Sequence, residues 1–199
     1  MNYQTLSDQY PYNIAWHNMS MSPLRLEALL FATEKHGDQR RKYTDELYIN
    51  HPVRVAYLVN TYDLQQSETS DTKICAALLH DVLEDTDTTL RELVDTFGHP
   101  IANMVFALSK PAYLPGYSRS HGKGWERKRL MGCTSDVQTI KMADMIDNTH
   151  DIDKFDDPGK ARQYMVEQRE LFKSLTKADT GLRLRMNIQL RRYFDGNPA

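Results

Sequence analysis

Cysteine, long apolar segments and net charge are all scarce in this sequence of 199 residues. Two cysteines are too few for a disulfide framework, which predicts a reducing, cytoplasmic location. No apolar run approaches the roughly 18 residues that a membrane span needs, and the N-terminus lacks the basic and apolar regions of a signal peptide. A net charge of −2 disfavours nucleic acid as the main partner, because a polyanion binds to a basic surface.

Strand signals are also nearly absent, whereas helical spacing fills most of the chain. The first clear helix has Ser22 as its N-cap, Pro23 at its first position and Gly37 as its stop signal. Further segments with helical spacing follow, without an internal repeat or a convincing domain boundary. We therefore predict an all-α fold, a single helical bundle at residues 23–199 that follows an irregular N-terminal arm at residues 1–22.

The most unusual segment is AALLHDVLED, residues 76–85, in which four ionisable groups follow an apolar run. We interpret the segment as the end of one largely buried helix. His80 and Asp81 then lie one helical turn before Glu84 and Asp85, respectively. A buried carboxylate beside an imidazole is unfavourable unless a partner compensates it. A divalent cation supplies that compensation, since both groups are good ligands for first-row metals.

Two other segments offer the further ligands that a metal site needs. INHP places His51 at the start of a helix, and IKMADMIDN places Asp144 in the middle of an apolar helix. The predicted ligand set is His51, His80, Asp81 and Asp144. Two imidazoles and two carboxylates leave coordination positions for water, as hydrolytic metal catalysis requires. The alternative is that the His-Asp pair occurs by chance and that Asp144 is a solvated surface residue.

Together these motifs resemble the hydrolase domain of the Rel/Spo-type (p)ppGpp pyrophosphohydrolases, which are HD-domain phosphohydrolases. The segments that carry the resemblance are, in chain order, HGDQRRK, YINHPVRVAYLV, AALLHDVLEDTDTT, FG, ERKRL and KMADMIDN. They lie within roughly residues 24–175, and without a synthetase domain we expect a stand-alone small alarmone hydrolase. The resemblance implies an all-α HD-domain bundle, a Mn²⁺ ion and removal of the 3′-pyrophosphate of (p)ppGpp to leave GDP or GTP.

The resemblance also implies roles for individual residues. The four predicted metal ligands match the family's ligands, and Glu84 and Asp85 match the acidic pair that positions and activates the attacking water. The residues that match substrate contacts are Arg41, Lys42, Asn148 and Tyr164. Arg41 and Lys42 belong to the segment that contacts the nucleotide. Asn148 matches an asparagine near the ribose, and Tyr164 matches an aromatic residue near the phosphates or ribose.

Two positions depart from the family pattern K-L-A-D-K-L-x-N-L, since Met145 replaces a lysine and Thr149 replaces a leucine. A positive charge near the substrate is then missing, which leaves the identity of the nucleotide open. The alternatives are an HD phosphohydrolase that acts on (p)ppApp or NADPH, or a non-catalytic HD module that binds a nucleotide. A non-catalytic module would need a broken ligand or acid position, and the sequence has none. Residues 111–124, with two prolines and three glycines, predict a long loop.

Overall fold

The structure is a computed structural model, and it describes residues 21–62, 69–110 and 118–196. The described residues form nine α-helices and a short 3-10 helix: α1 (Pro23–His36), α2 (Asn50–Tyr62), α3 (Thr69–Leu78), α4 (Val82–Asp85), α5 (Leu90–Leu108), α6 (Arg119–Gly132), α7 (Ser135–His150), the 3-10 helix (Ile152–Lys154), α8 (Pro158–Ser174) and α9 (Thr180–Gly196). The β-structure in these ranges is an isolated bridge between Arg40 and Leu47. The all-α prediction is confirmed. Along the same residues, no helix combines the length and the apolar character of a membrane span.

Capping residues and glycines explain where α1 begins and ends and where α5 bends. The Ser22 side chain accepts a hydrogen bond from the Arg25 N–H. Pro23 fits the first turn because a backbone N–H at that position would have no partner within the helix. Gly37 ends α1 with a positive φ of 52°, a conformation that favours glycine. Gly98, with φ of 77°, kinks α5 for the same reason.

The centre of the bundle is α3. Every residue from Ile74 to Leu79 is fully buried, because α3 packs against α1, α2 and α5 on different sides. A helix that is apolar all round is typical of such a central position. The second organising helix is α7, which packs against α2 and α9. The contact between α2 and α7 and the end of α3 therefore bring three distant sequence segments together.

The predicted helix through residues 76–85 is wrong in its second half, because α3 ends at Leu78 and a turn precedes α4. The Nδ1 atom of His80 lies 2.8 Å from the Ala77 carbonyl oxygen. In a continuous helix that oxygen would accept the N–H of Asp81, so the imidazole replaces a backbone hydrogen bond. His80 and Asp81 consequently lie in the turn rather than on a helix face.

Two predictions concern segments that the structure describes only in part. The arm predicted at residues 1–22 lies outside the described residues except for its last two positions. The loop predicted at residues 111–124 is wrong in its second half, since α6 begins at Arg119. The Ser118 side chain caps α6 by accepting a hydrogen bond from the His121 N–H, and this cap overrides the two glycines that follow it. The first half of that range lies outside the described residues.

Candidate active site

Four side chains converge where α2, the α3–α4 turn and α7 meet. The Nε2 atom of His51 lies 3.5 Å from an oxygen of Asp81 and 3.2 Å from an oxygen of Asp144. The Nε2 atom of His80 lies 3.1 Å and 3.8 Å from the same two oxygens. His51, His80 and Asp81 are close enough to one another to hold a metal ion. The structure therefore brings together all four side chains of the predicted ligand set, and that they bind a cation stays a prediction.

The two imidazoles are oriented as metal ligands. Both are buried, and neither Nε2 atom has a hydrogen bond of normal geometry. Their Nδ1 atoms are occupied instead, by the Ala77 carbonyl oxygen for His80 and by an oxygen of Asp147, at 2.7 Å, for His51. A proton on Nδ1 leaves the Nε2 lone pair available to a cation. A buried polar atom without a partner is rare, so this pair of orphaned nitrogens fits a divalent ion.

The electrostatics of the pocket also favour a cation. Burial lowers the pKa values of His51 and His80, but the neighbouring carboxylates outweigh burial and raise them to about 9 and about 10. Burial raises the pKa values of Asp81 and Asp144, but His80 and Lys141 outweigh it and hold both well below their usual range. The field that holds protons on the imidazoles would equally stabilise a metal ion.

The predicted acidic pair lies at the rim of the same pocket. The carboxylate of Glu84 accepts hydrogen bonds from the backbone N–H and the ammonium group of Lys110, at 2.6 and 3.0 Å. The Tyr48 hydroxyl lies 2.7 Å from an oxygen of Asp81 and 2.9 Å from an oxygen of Asp85. Tyr48 therefore links Asp85 of the acidic pair to Asp81 of the ligand set. Sequence reasoning missed this role, because Tyr48 precedes α2 and its hydroxyl reaches residues 33 and 37 positions away in the sequence.

Three lysines lie among the acidic groups. A cavity of about 150 Å³ is lined by the acidic residues just described and by the ammonium groups of Lys110, Lys123 and Lys141. Lys141 lies 2.7 Å from Asp144 and Lys123 lies 2.8 Å from the buried Glu126. Lys110, in turn, pairs with Glu84, so each of the three lysines has a carboxylate partner and five carboxylates line the same cavity. A polyphosphate here would therefore need a bound cation, in addition to the lysines, to offset its charge. Sequence reasoning missed Lys141, although its spacing of three residues from Asp144 places both on one helix face.

A second cavity, of about 300 Å³, adjoins the first and shares Tyr48, Asn148 and Tyr164 with it. The predicted substrate contacts Arg41, Lys42, Asn148 and Tyr164 all line this second cavity. Tyr43 and Phe155 add an aromatic wall, with ring centroids 4.0 Å apart, and sequence reasoning missed Phe155. A larger cavity, of about 730 Å³, shares no lining residue with either. The first two cavities together offer room for a phosphate group and an attached nucleoside.

The two departures from the family pattern lie away from both cavities. Met145 is 1% exposed and belongs to the core. Thr149 is also buried, donates a hydrogen bond to the Met145 carbonyl oxygen and accepts one from the Gln189 amide. Neither residue lines either cavity. Met145 therefore lies outside both cavities, whereas Lys141 lines the smaller one.

Comparisons with known proteins place the chain among HD-domain hydrolases. The family model described as HD domain matches residues 28–180. The guanosine-3′,5′-bis(diphosphate) 3′-pyrophosphohydrolase MESH1 of Danio rerio is 31% identical over 179 residues, which cover 89% of this chain and 96% of that protein. The MESH1 protein of Xenopus tropicalis is 34% identical over 166 residues, with coverage of 82% and 87%. A solved structure described as a metazoan ortholog of SpoT that hydrolyzes ppGpp matches with a TM-score of 0.78, at 24% identity, over 88% of this chain and 98% of that one.

Proposed function

This chain belongs to the HD domain family and, within it, to the guanosine-3′,5′-bis(diphosphate) 3′-pyrophosphohydrolases, and we propose that it hydrolyses the 3′-pyrophosphate of (p)ppGpp to give GDP or GTP and pyrophosphate. One observation carries this proposal. Two imidazoles with orphaned Nε2 atoms and two carboxylates meet beside a small cavity lined by three lysines. This arrangement combines a cation site with a polyphosphate site, which is what the reaction needs.

The cation that we propose for His51, His80, Asp81 and Asp144 is Mn²⁺. Mixed imidazole and carboxylate ligands suit first-row divalent ions, and the carboxylates favour Mn²⁺ over softer metals. When bound there, the ion would supply charge neutralisation at the phosphate and a water nucleophile at neutral pH.

The acidic pair provides the proton acceptor in this proposal. Glu84 and Asp85 each have a carboxylate at the rim of the cation site, and each is held by a neighbour. Lys110 fixes Glu84 through two hydrogen bonds, so the carboxylate keeps its orientation toward the cavity. An oriented carboxylate within reach of the attacking water can accept its proton as bond formation to phosphorus begins.

The remaining residues position the nucleotide. Lys110, Lys123 and Lys141 surround the cavity proposed for the 3′-pyrophosphate and reduce the repulsion between its oxygens and the nucleophile. Arg41 and Lys42 line the adjoining cavity proposed for the nucleoside, where a guanidinium can contact a phosphate or stack on a base. Asn148 and Tyr164 line both cavities, which is the place that the ribose would occupy.

A substrate panel tests this function. The purified chain is incubated with ppGpp, pppGpp, ppApp or NADPH in the presence of Mn²⁺, the products are resolved by anion-exchange chromatography, and the bound metal is identified by elemental analysis. We expect GDP and GTP from the two guanosine substrates, together with pyrophosphate, at higher kcat/KM than for ppApp or NADPH. Turnover of NADPH or ppApp alone would reassign the substrate. No turnover of any of the four would support the non-catalytic alternative.

A further inference from the structure

We infer that a chain of charged side chains, Glu46–Arg54–Asp147, fixes the orientation and the tautomer of His51 and so sets the affinity of the site for its cation. This inference rests on the cation site of the proposed function. In this inference, Asp147 and Arg54 are positioning residues that act through His51. Neither lines the cavities proposed for the substrate.

The charged chain is continuous and largely buried. The His51 Nδ1 atom lies 2.7 Å from Oδ2 of Asp147. The Arg54 guanidinium donates to both oxygens of Asp147, from Nε at 2.6 Å to Oδ1 and from Nη2 at 3.1 Å to Oδ2. It also donates two hydrogen bonds to Glu46, at 2.9 and 2.7 Å. The side chain of Asp147 is 6% exposed and that of Glu46 is 13% exposed, so solvent screens this network little.

The position of the network couples it to the ligands. Arg54 follows His51 by three residues on α2, and Asp147 follows Asp144 by three residues on α7. Each member of the Arg54–Asp147 pair is thus one helical turn from a proposed metal ligand. The network joins the two helices that carry these ligands at the point where both enter the site.

The chemistry of the contact determines the tautomer. A carboxylate can only accept a hydrogen bond, so Asp147 requires the proton of a neutral His51 to be on Nδ1. The lone pair is then on Nε2, which faces Asp81 and Asp144. Because Arg54 occupies both carboxylate oxygens, Asp147 cannot rotate away from this arrangement. Loss of such an outer carboxylate typically weakens metal binding by about 10–100-fold.

The isosteric substitution Asp147→Asn separates this role from a purely structural one. Arg54 makes its shorter contact with Oδ1, so the amide oxygen of the asparagine is expected to take that place. The amide NH₂ then faces Nδ1 of His51 and drives the proton to Nε2, where it blocks the cation. With Arg54→Leu in addition, the amide is free to turn its oxygen toward His51 and restore the productive tautomer.

The experiment measures binding of Mn²⁺ alone to four full-length proteins, from the electron paramagnetic resonance signal of the free ion at one pH. They are the wild type, Asp147→Asn, Arg54→Leu and the double variant. We expect Asp147→Asn to weaken binding by about 10–100-fold and Arg54→Leu by less than about tenfold. The double variant is expected to bind more tightly than Asp147→Asn, although it carries one substitution more. Circular dichroism and thermal unfolding establish that each protein is folded.

Each result has one meaning. Wild-type affinity in Asp147→Asn would overturn the inference and leave the proposed function intact. A double variant that binds more weakly than Asp147→Asn would identify the network as a clamp between α2 and α7 and overturn the tautomer role. If Asp147→Asn does not fold, wild-type affinity in Arg54→Leu would overturn the role of Arg54, and a severalfold loss would support it. A wild-type protein that binds no Mn²⁺ would overturn the cation site, and this inference with it.

Discussion

The two adjoining cavities are built in different ways. Around the inner one, buried side chains are fixed by specific partners, as Asp144 is by Lys141 and His80 by the Ala77 carbonyl oxygen. Around the outer one, Lys42 is exposed and Arg41 is partly exposed. A rigid inner site keeps its geometry before a substrate arrives, whereas exposed cations rearrange around whatever nucleotide binds. We therefore expect the inner cavity to control turnover and the outer cavity to control substrate affinity.

The largest effect is expected at Asp81, a proposed metal ligand in the inner cavity. Asp81→Ala removes a carboxylate that lies close to both imidazoles, so the protein should lose bound Mn²⁺ and its turnover should fall by about 10³-fold or more, since a catalytic metal contributes several kcal/mol to the barrier. The measurement is metal content together with kcat for ppGpp. Asp95→Ala, at an exposed position on α5, is the matched control and should retain both. A metal-free Asp81→Ala protein with wild-type turnover would contradict the expectation that the inner cavity controls turnover.

The next effect separates proton transfer from metal binding within the inner cavity. Glu84→Gln keeps the shape of the side chain but cannot accept a proton, so kcat should fall by about 10²–10⁴-fold while bound Mn²⁺ is retained. Asp85→Asn provides the parallel test of the second acid, and the larger loss identifies the acceptor. Glu170→Gln, at a partly exposed site on α8, serves as the control. Loss of the metal from Glu84→Gln would instead make Glu84 a ligand.

The same contrast explains which features the sequence could predict. His51, His80, Asp81 and Asp144 stand out because imidazoles and carboxylates beside apolar residues require compensation, and this can be recognised without coordinates. Tyr48 could not be recognised, since its hydroxyl reaches Asp81 across 33 positions of sequence. Of the residues that contact the predicted ligands, Tyr48 and Asp147 could be found only from the packing between distant segments, whereas the spacing of Lys141 from Asp144 was a signal in the sequence.

The end of α3 at Leu78 could not be predicted from the sequence either. The helix predicted through residues 76–85 failed because one side-chain hydrogen bond, from His80 to Ala77, competes with the backbone. Helical spacing cannot reveal that competition. In the sequence, Asp147 is likewise one more polar residue on α7, and only the structure shows its contact with His51, 96 residues away.

A moderate effect is expected in the outer cavity. Arg41→Ala removes a cation from the wall of the proposed nucleoside site, and KM for ppGpp should rise by about tenfold while kcat changes little, because the lost contact stabilises bound substrate and transition state alike. Steady-state kinetics measure this directly. Lys128→Ala, exposed on α6 and outside both cavities, controls for the loss of one positive charge. A drop in kcat with unchanged KM would indicate that Arg41 acts in turnover, as expected for residues of the inner cavity.

The smallest effect on turnover is expected at Met145, where the family pattern has a lysine. Because Met145 is 1% exposed within the core, Met145→Lys buries an unpaired charge and should lower the free energy of unfolding by about 3 kcal/mol or more. Among the molecules that remain folded, kcat and KM should be unchanged. Met145→Leu conserves the apolar volume and should cost less than about 1.5 kcal/mol.

Urea unfolding and steady-state kinetics on both Met145 variants distinguish the two accounts of this position. If the lysine reaches the substrate, Met145→Lys lowers KM and stability changes little, since the ammonium group is then solvated or paired with phosphate. If position 145 belongs to the core, stability falls and KM stays constant. The second result would show that position 145 contributes no positive charge to the inner cavity of this chain, which leaves Lys141, 2.7 Å from Asp144, as the cation that α7 places there.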